Sequence, residues 1–195
     1  MKGYFYQFKV KNEDIPEKLC LDPYAKSMAA FYLDTNGKIS TGAPDDDKIG
    51  KEAIIDLADT NVTGLDYAWK TSSDFNSYYK QREDAIIYEV HVRDFTSFWG
   101  VNTAGTTSTE VNKPTDTLGT YKAFITNLPY LKKMGYTHIQ LLPIMNFLYG
   151  DETNKALEPE IKGKDCNYNW GFDPHHYFTP EGMYATNAKN PNTRV

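Results

Sequence analysis

Ala85-Ile86-Ile87-Tyr88-Glu89-Val90-His91-Val92 and Tyr136-Thr137-His138-Ile139-Gln140-Leu141-Leu142 are the stretches that decide the fold. The first is a nearly continuous apolar, β-branched run. That pattern belongs to a strand buried on both faces, and so to a parallel sheet. The second is a shorter run of the same kind, stopped by Pro143. Between them, Tyr121, Phe124, Ile125, Leu128, Leu131 and Met134 recur at helical spacing. Lys132 and Lys133 fall in the last turn, where cations suit the helix dipole, and Gly135 follows as a terminator. Pro129 is expected to kink or break the helix near its middle. Strand, helix, strand is a βαβ unit with parallel strands and a right-handed crossover, which makes the fold α/β. Ligands of such sheets bind beyond the carboxyl ends of the strands. Arg93, Asp94, Pro143, Met145 and Asn146 are therefore expected near any chemistry. The loop that follows, from Phe147 to about Pro180, is long enough to be functional or to hold small elements of its own.

Upstream the signals are weaker. Tyr4, Tyr6, Phe8 and Val10 alternate along one strand face, and Phe31 to Leu33 and Ala53 to Leu57 suggest further short strands. Residues 36–52 are rich in turn formers. Their Asp45-Asp46-Asp47 lacks the spacing of an EF-hand loop and reads as a solvated loop. Residues 66–82 read as an irregular connector.

Composition narrows the function. The chain has 195 residues, 40% hydrophobic and 24% charged, so it is neither a disordered tail nor a bilayer-spanning protein. No run approaches the ~20 apolar residues of a spanning helix. A net charge of −5 argues against nucleic acid as partner. The two cysteines, Cys20 and Cys166, lie too far apart in sequence for a disulfide framework or a zinc ribbon and read as unrelated thiols. Met1-Lys2-Gly3-Tyr4-Phe5-Tyr6 lacks the apolar core of a signal peptide. Tyrosine is abundant, with 15 in the chain. Its flat apolar face and polar edge suit sugar recognition, but composition alone favours large core residues.

No dinucleotide, phosphate-loop, zincin or nucleophile-elbow motif is present. His91 and His138, each inside a predicted strand, read as hydrogen-bonded core histidines. The adjacent His175 and His176 should point to opposite sides of a strand, which disfavours a shared metal. Asn61-Val62-Thr63 fits a glycosylation sequon that is common by chance. The informative stretch is Tyr168-Asn169-Trp170-Gly171-Phe172-Asp173-Pro174. It concentrates aromatic faces, an amide and a carboxylate on the predicted reactive end of the sheet. Gly171 permits a tight bend and close approach of a ligand to the backbone. A sugar site and a packed aromatic corner anchoring the loop fit these residues equally.

Three blocks carry a family resemblance: Asp84–Thr96 (D-A-I-I-Y-E-V-H-V-R-D-F-T), Leu128–Pro143 (L-P-Y-L-K-K-M-G-Y-T-H-I-Q-L-L-P) and Tyr168–Pro174 (Y-N-W-G-F-D-P). They resemble type I pullulanases, debranching enzymes of glycoside hydrolase family 13. Leu21–Lys26 (L-D-P-Y-A-K) resembles the end of the β-sandwich module that precedes their barrels. The resemblance implies three regions. Residues 1–35 are the end of the sandwich, 36–84 a connector, and 85–195 the N-terminal part of a (β/α)8 TIM barrel with its first two strands. It implies retaining hydrolysis of α-1,6 links in pullulan, starch or glycogen, with an α-glucan as partner. Such chemistry needs two carboxyl groups about 5–5.5 Å apart. In the family these lie on later strands, so no catalytic residue is assigned here. The 195-residue chain by itself is expected to be inactive, and poorly soluble because its second barrel strand would keep an open edge.

Phe172 takes the place of the family's sugar-stacking Tyr, and Asp173 that of its substrate-touching Asp. Stacking should survive the change to Phe, while a hydroxyl hydrogen bond worth on the order of 1 kcal/mol is lost. Tyr168, Asn169 and Trp170 are expected to shape the loop and to contact substrate. Glu89, Asp94, Asp151 and Glu152 gain no catalytic role. No cofactor is implied; full-length members can carry a structural calcium, for which no ligand is identified here. Relatives of the type are secreted, surface-tethered or cytoplasmic, with the cell exterior favoured. The competing readings are a non-catalytic glucan binder, a structural remnant, and an isoamylase or branching enzyme.

Overall fold

The computed structural model describes residues 3–33, 39–40, 49–58, 80–97, 100–101, 107–108, 118–147, 151–155 and 170–195. The elements in chain order are β1 (Phe5–Tyr6), β2 (Phe8–Val10), β3 (Lys18–Cys20), β4 (Tyr32–Leu33), β5 (Ile39–Ser40), β6 (Glu52–Ala53), β7 (Ile87–Val90), α1 (Val92–Thr96), β8 (Gly100–Val101), β9 (Thr107–Ser108), α2 (Tyr121–Lys133), β10 (His138–Leu141), β11 (Met145–Phe147) and β12 (Pro174–Pro180). The predicted α/β unit is present. β7 and β10 pair in parallel, with Ile87 opposite His138 and Val90 opposite Leu141, and α2 lies between them in sequence.

Four details differ from expectation. The first strand stops at Val90 instead of Val92. His91 Nδ1 accepts the backbone N–H groups of Arg93 and Asp94, at 3.1 and 3.4 Å, and so caps α1. Pro129 does not break α2, which runs through it to Lys133. The carbonyl left without an intrahelical donor is that of Ile125, a residue on the exposed side of the helix. His138 is exposed and meets its neighbour Thr137 Oγ1 at 2.8 Å, so it is not a core histidine. The residues of β10 are all exposed, and β7 buries only Val90, so neither strand is covered on both faces among the described residues.

The core gathers Val90, Val92, Phe124, Leu131, Phe147, Met183 and Tyr184. Tyr184 is its hub. Its ring meets those of His91, Tyr121 and Phe147 edge-on, at centroid distances of 5.5, 5.6 and 6.2 Å. Such pairs add about 0.5–1.5 kcal/mol each beyond area burial. Thr120 caps α2 by accepting the N–H of Ala123 at 3.1 Å.

The N-terminal stretch breaks at Gln7. β1 pairs antiparallel with β6 and β2 with β3, so Tyr4 to Val10 does not form one continuous ladder. Of the predicted strand at Ala53 to Leu57 only its start is found, as β6. This N-terminal segment is stitched onto the later chain. Phe31 and Glu152 bond reciprocally: the Glu152 N–H donates to Phe31 O at 3.0 Å, and the Phe31 N–H to Glu152 Oε2 at 3.2 Å. Ser27 Oγ donates to Pro191 O at 2.6 Å. The Asp45–Asp47 triplet, the 59–79 part of the connector, the sequon and Cys166 lie outside the described residues. Cys20 is a free thiol.

Candidate functional site

The long loop after β10 contains a hairpin that the sequence did not signal. β11 and β12 pair antiparallel, with Phe147 opposite Pro174 and register shifts on either side of Asn146. This hairpin sets the loop Trp170–Asp173 at the carboxyl end of the parallel pair. Gly171 is the anchor. It has φ +90°, and a Cβ there would lie 2.6 Å from the Pro143 carbonyl oxygen and 3.0 Å from Pro143 Cβ. The bend expected at Gly171 is therefore real, but the backbone it approaches is that of Pro143 rather than a ligand. Gly171→Ala is expected to cost about 1–3 kcal/mol from backbone strain alone and to shift the loop. A thermal melt together with Trp170 emission checks this, and unchanged values of both would refute it.

Trp170 and Phe172 are 62% and 63% exposed, and Asp173 is exposed between Phe172 and the strand. The loop thus offers two aromatic faces and a carboxylate to solvent. Tyr168 and Asn169 lie outside the described residues. Arg93, on α1, is buried, and Asp94 Oδ1 sits 3.8 Å from His91 Nδ1.

Beneath the loop lies a buried ionic network that the sequence reading missed. Arg194 Nη2 donates to Glu152 Oε2 at 2.7 Å, with both side chains almost fully buried. Asn146 Nδ2 reaches Glu152 Oε1 at 3.0 Å and Glu181 Oε2 at 3.3 Å. Glu181 also accepts the N–H groups of Phe147 and Met183, at 2.9 and 2.8 Å. Burial, and next the Glu152 charge, push the Glu181 carboxyl well above its usual range. Glu152 and Glu181 are thus committed to holding the hairpin. Among the described residues, no group of three or more His, Cys, Asp or Glu is arranged to hold a metal ion. Also among them, no helix is long and apolar enough to cross a membrane.

The chain is 40% identical to pullulanase A of Streptococcus pneumoniae over 194 residues, which is 99% of this chain and 14% of that protein. It is related to the pullulanases. The pullulanase of Bacillus subtilis is 39% identical over 111 residues, 57% of the chain and 14% of that protein. An isoamylase of Pseudomonas amyloderamosa is more distant, at 28% over 181 residues, 88% of the chain and 20% of that protein. Among solved structures, the catalytic module of the glycogen-degrading pneumococcal virulence factor SpuA superposes with a TM-score of 0.70 at 36% identity, covering 99% of this chain and 24% of that one. The Group B Streptococcus pullulanase SAP gives a TM-score of 0.70 at 34% identity, covering 99% and 22%. These neighbours agree with the α/β assignment. The chain therefore spans a small part of the length of its pullulanase relatives. No family model matches it.

Proposed function

We propose that this chain is a piece of a debranching α-glucan hydrolase of glycoside hydrolase family 13, acting on α-1,6 links with retention, and that it holds the N-terminal part of the catalytic barrel. The observation that carries the reading is the 40% identity to a pullulanase over essentially the whole chain. In this reading residues 1–35 end a β-sandwich module, 36–84 connect, and 85–195 open a (β/α)8 barrel with β7 and β10 as its first two strands. Exposed apolar surface supports it: Ile87 on β7, Ile139 and Leu141 on β10, and Ile125 and Tyr130 on α2 all face solvent. A longer sheet and flanking helices would cover such surface.

The glucan meets the Trp170–Asp173 loop. Phe172 stacks on a glucose ring, Asp173 accepts from sugar hydroxyls, and Trp170, Asn169 and Tyr168 extend or shape the subsite. A structure of the pullulanase SAP holds maltotetraose, which makes that sugar the natural probe. Titration of the chain with maltotetraose should show binding that falls about tenfold or more in Phe172→Ala and in Asp173→Ala, the loss of one stacking or charged contact each. Both variants should melt like the parent, because both side chains are exposed. Equal affinity in parent and variants would sink the assignment.

A further inference from the structure

His175 and His176 follow the candidate sugar loop after one intervening residue, Pro174. Neighbours in a regular strand point to opposite sides. Here both rings end on the N-terminal segment, and β12 pairs with β11 in shifted register. His175 Nε2 lies 2.6 Å from Ile49 O, and its ring packs edge-on to Phe31 at 5.4 Å. Gly50 makes room for this. At φ +85°, a Cβ there would stand 3.0 Å from both Met28 Cε and Phe31 Cζ, and 3.6 Å from His175 Nε2. His176 Nδ1 accepts the Phe178 N–H at 3.1 Å, so the neutral ring carries its proton on Nε2. That nitrogen faces Asp22 O at 2.9 Å and Glu52 Oε1 at 3.4 Å.

Gly171 fixes one end of the loop on Pro143. The two histidines fix the other end on residues 22, 49 and 52. We propose that His175 and His176 are positioning residues, through which the N-terminal segment sets the orientation of Phe172 and Asp173. The sugar part of this inference rests on the function proposed above; the ordering of the loop does not.

The test combines amide hydrogen exchange with maltotetraose titration on the purified chain. In the double variant His175→Ala/His176→Ala, exchange at Phe172 and Asp173 should speed up about tenfold or more relative to Val90 and Leu142 in the parallel pair, since each lost hydrogen bond is worth roughly 1 kcal/mol. Affinity for maltotetraose should fall in step. Gln places its Nε2 about as far from the backbone as His does. His175→Gln/His176→Gln should therefore restore both readouts to within about threefold, less than one hydrogen bond's worth. Unchanged exchange at 172–173 in the alanine variant would overturn the proposal. So would acceleration of equal size at Val90 and Leu142, which marks a loss of global stability only. If the parent chain fails to bind maltotetraose, the glucan reading falls, and the exchange arm still decides the positioning role.

Discussion

Gly182→Ala is expected to destabilise the chain by about 3–5 kcal/mol, the cost of breaking a buried ion pair by displacing one partner. A Cβ at Gly182 would overlap Arg194 Nη2 and Glu152 Oε2, the two atoms of the buried pair. Neither can retreat to water, because both side chains are buried. The residue that caps this turn, Glu181, is itself held through the Met183 N–H and the hairpin. Typical domains are stable by about 5–15 kcal/mol, so the variant should be largely unfolded near physiological temperature. Urea or thermal denaturation measures this. Gly135→Ala is the control: it also has positive φ, but open space surrounds it, and it should cost only about 1 kcal/mol. Equal effects of the two substitutions would show that the ion pair is not what Gly182 protects.

The second large effect concerns pH. Glu52 is fully buried, and neither carboxyl oxygen meets a well-formed hydrogen bond. Burial, and next the Asp22 charge, push its carboxyl up to about 8, against the pull of Arg194. In the unfolded chain the group titrates near 4.5. The folded state therefore holds a proton that the unfolded state has released between these values, and stability must fall as pH rises from about 4.5 to about 8. At roughly 1.4 kcal/mol per pH unit, the whole window is worth at most on the order of 5 kcal/mol. Glu52→Gln keeps the shape of the neutral acid and removes the titration. Its denaturation midpoint should match the parent near pH 5 and exceed it clearly above pH 8. The difference between Gln and Glu forms isolates the carboxyl. Parallel pH profiles would refute the assignment.

The fold was legible where sequence pattern and local structure share a cause. The β-branched run at 85–92 and the helical spacing of Tyr121 to Leu131 follow from side chains meeting neighbours of their own element, and both appear as β7 and α2. The end of β7 was misread because a histidine imitates a capping residue only once its ring nitrogen is placed. Pro129 was overrated because its cost depends on whether Ile125 O faces water, which the sequence does not state. At the site, Gly171 was legible as a bend, since positive φ is a local demand. The Arg194–Glu152–Asn146–Glu181 network was not. In a sequence, a buried Glu looks like a surface Glu. The partners of Glu152 come from residues 6 to 121 positions away. Trp170 and Phe172 were legible as an aromatic cluster from composition, while their exposure belongs to the folded loop and no residue pattern states it.

The reciprocal bond between Phe31 and Glu152 carries a consequence for the order of synthesis. It spans 121 positions, and the Ser27–Pro191 bond spans 164. A ribosome delivers Phe31 long before either partner exists. At ~5–20 residues per second, the early segment waits many seconds with Met28 and Phe31, both fully buried in the finished fold, still in water. During that interval it is a ready client for a chaperone, and it locks only when Glu152 and Pro191 emerge.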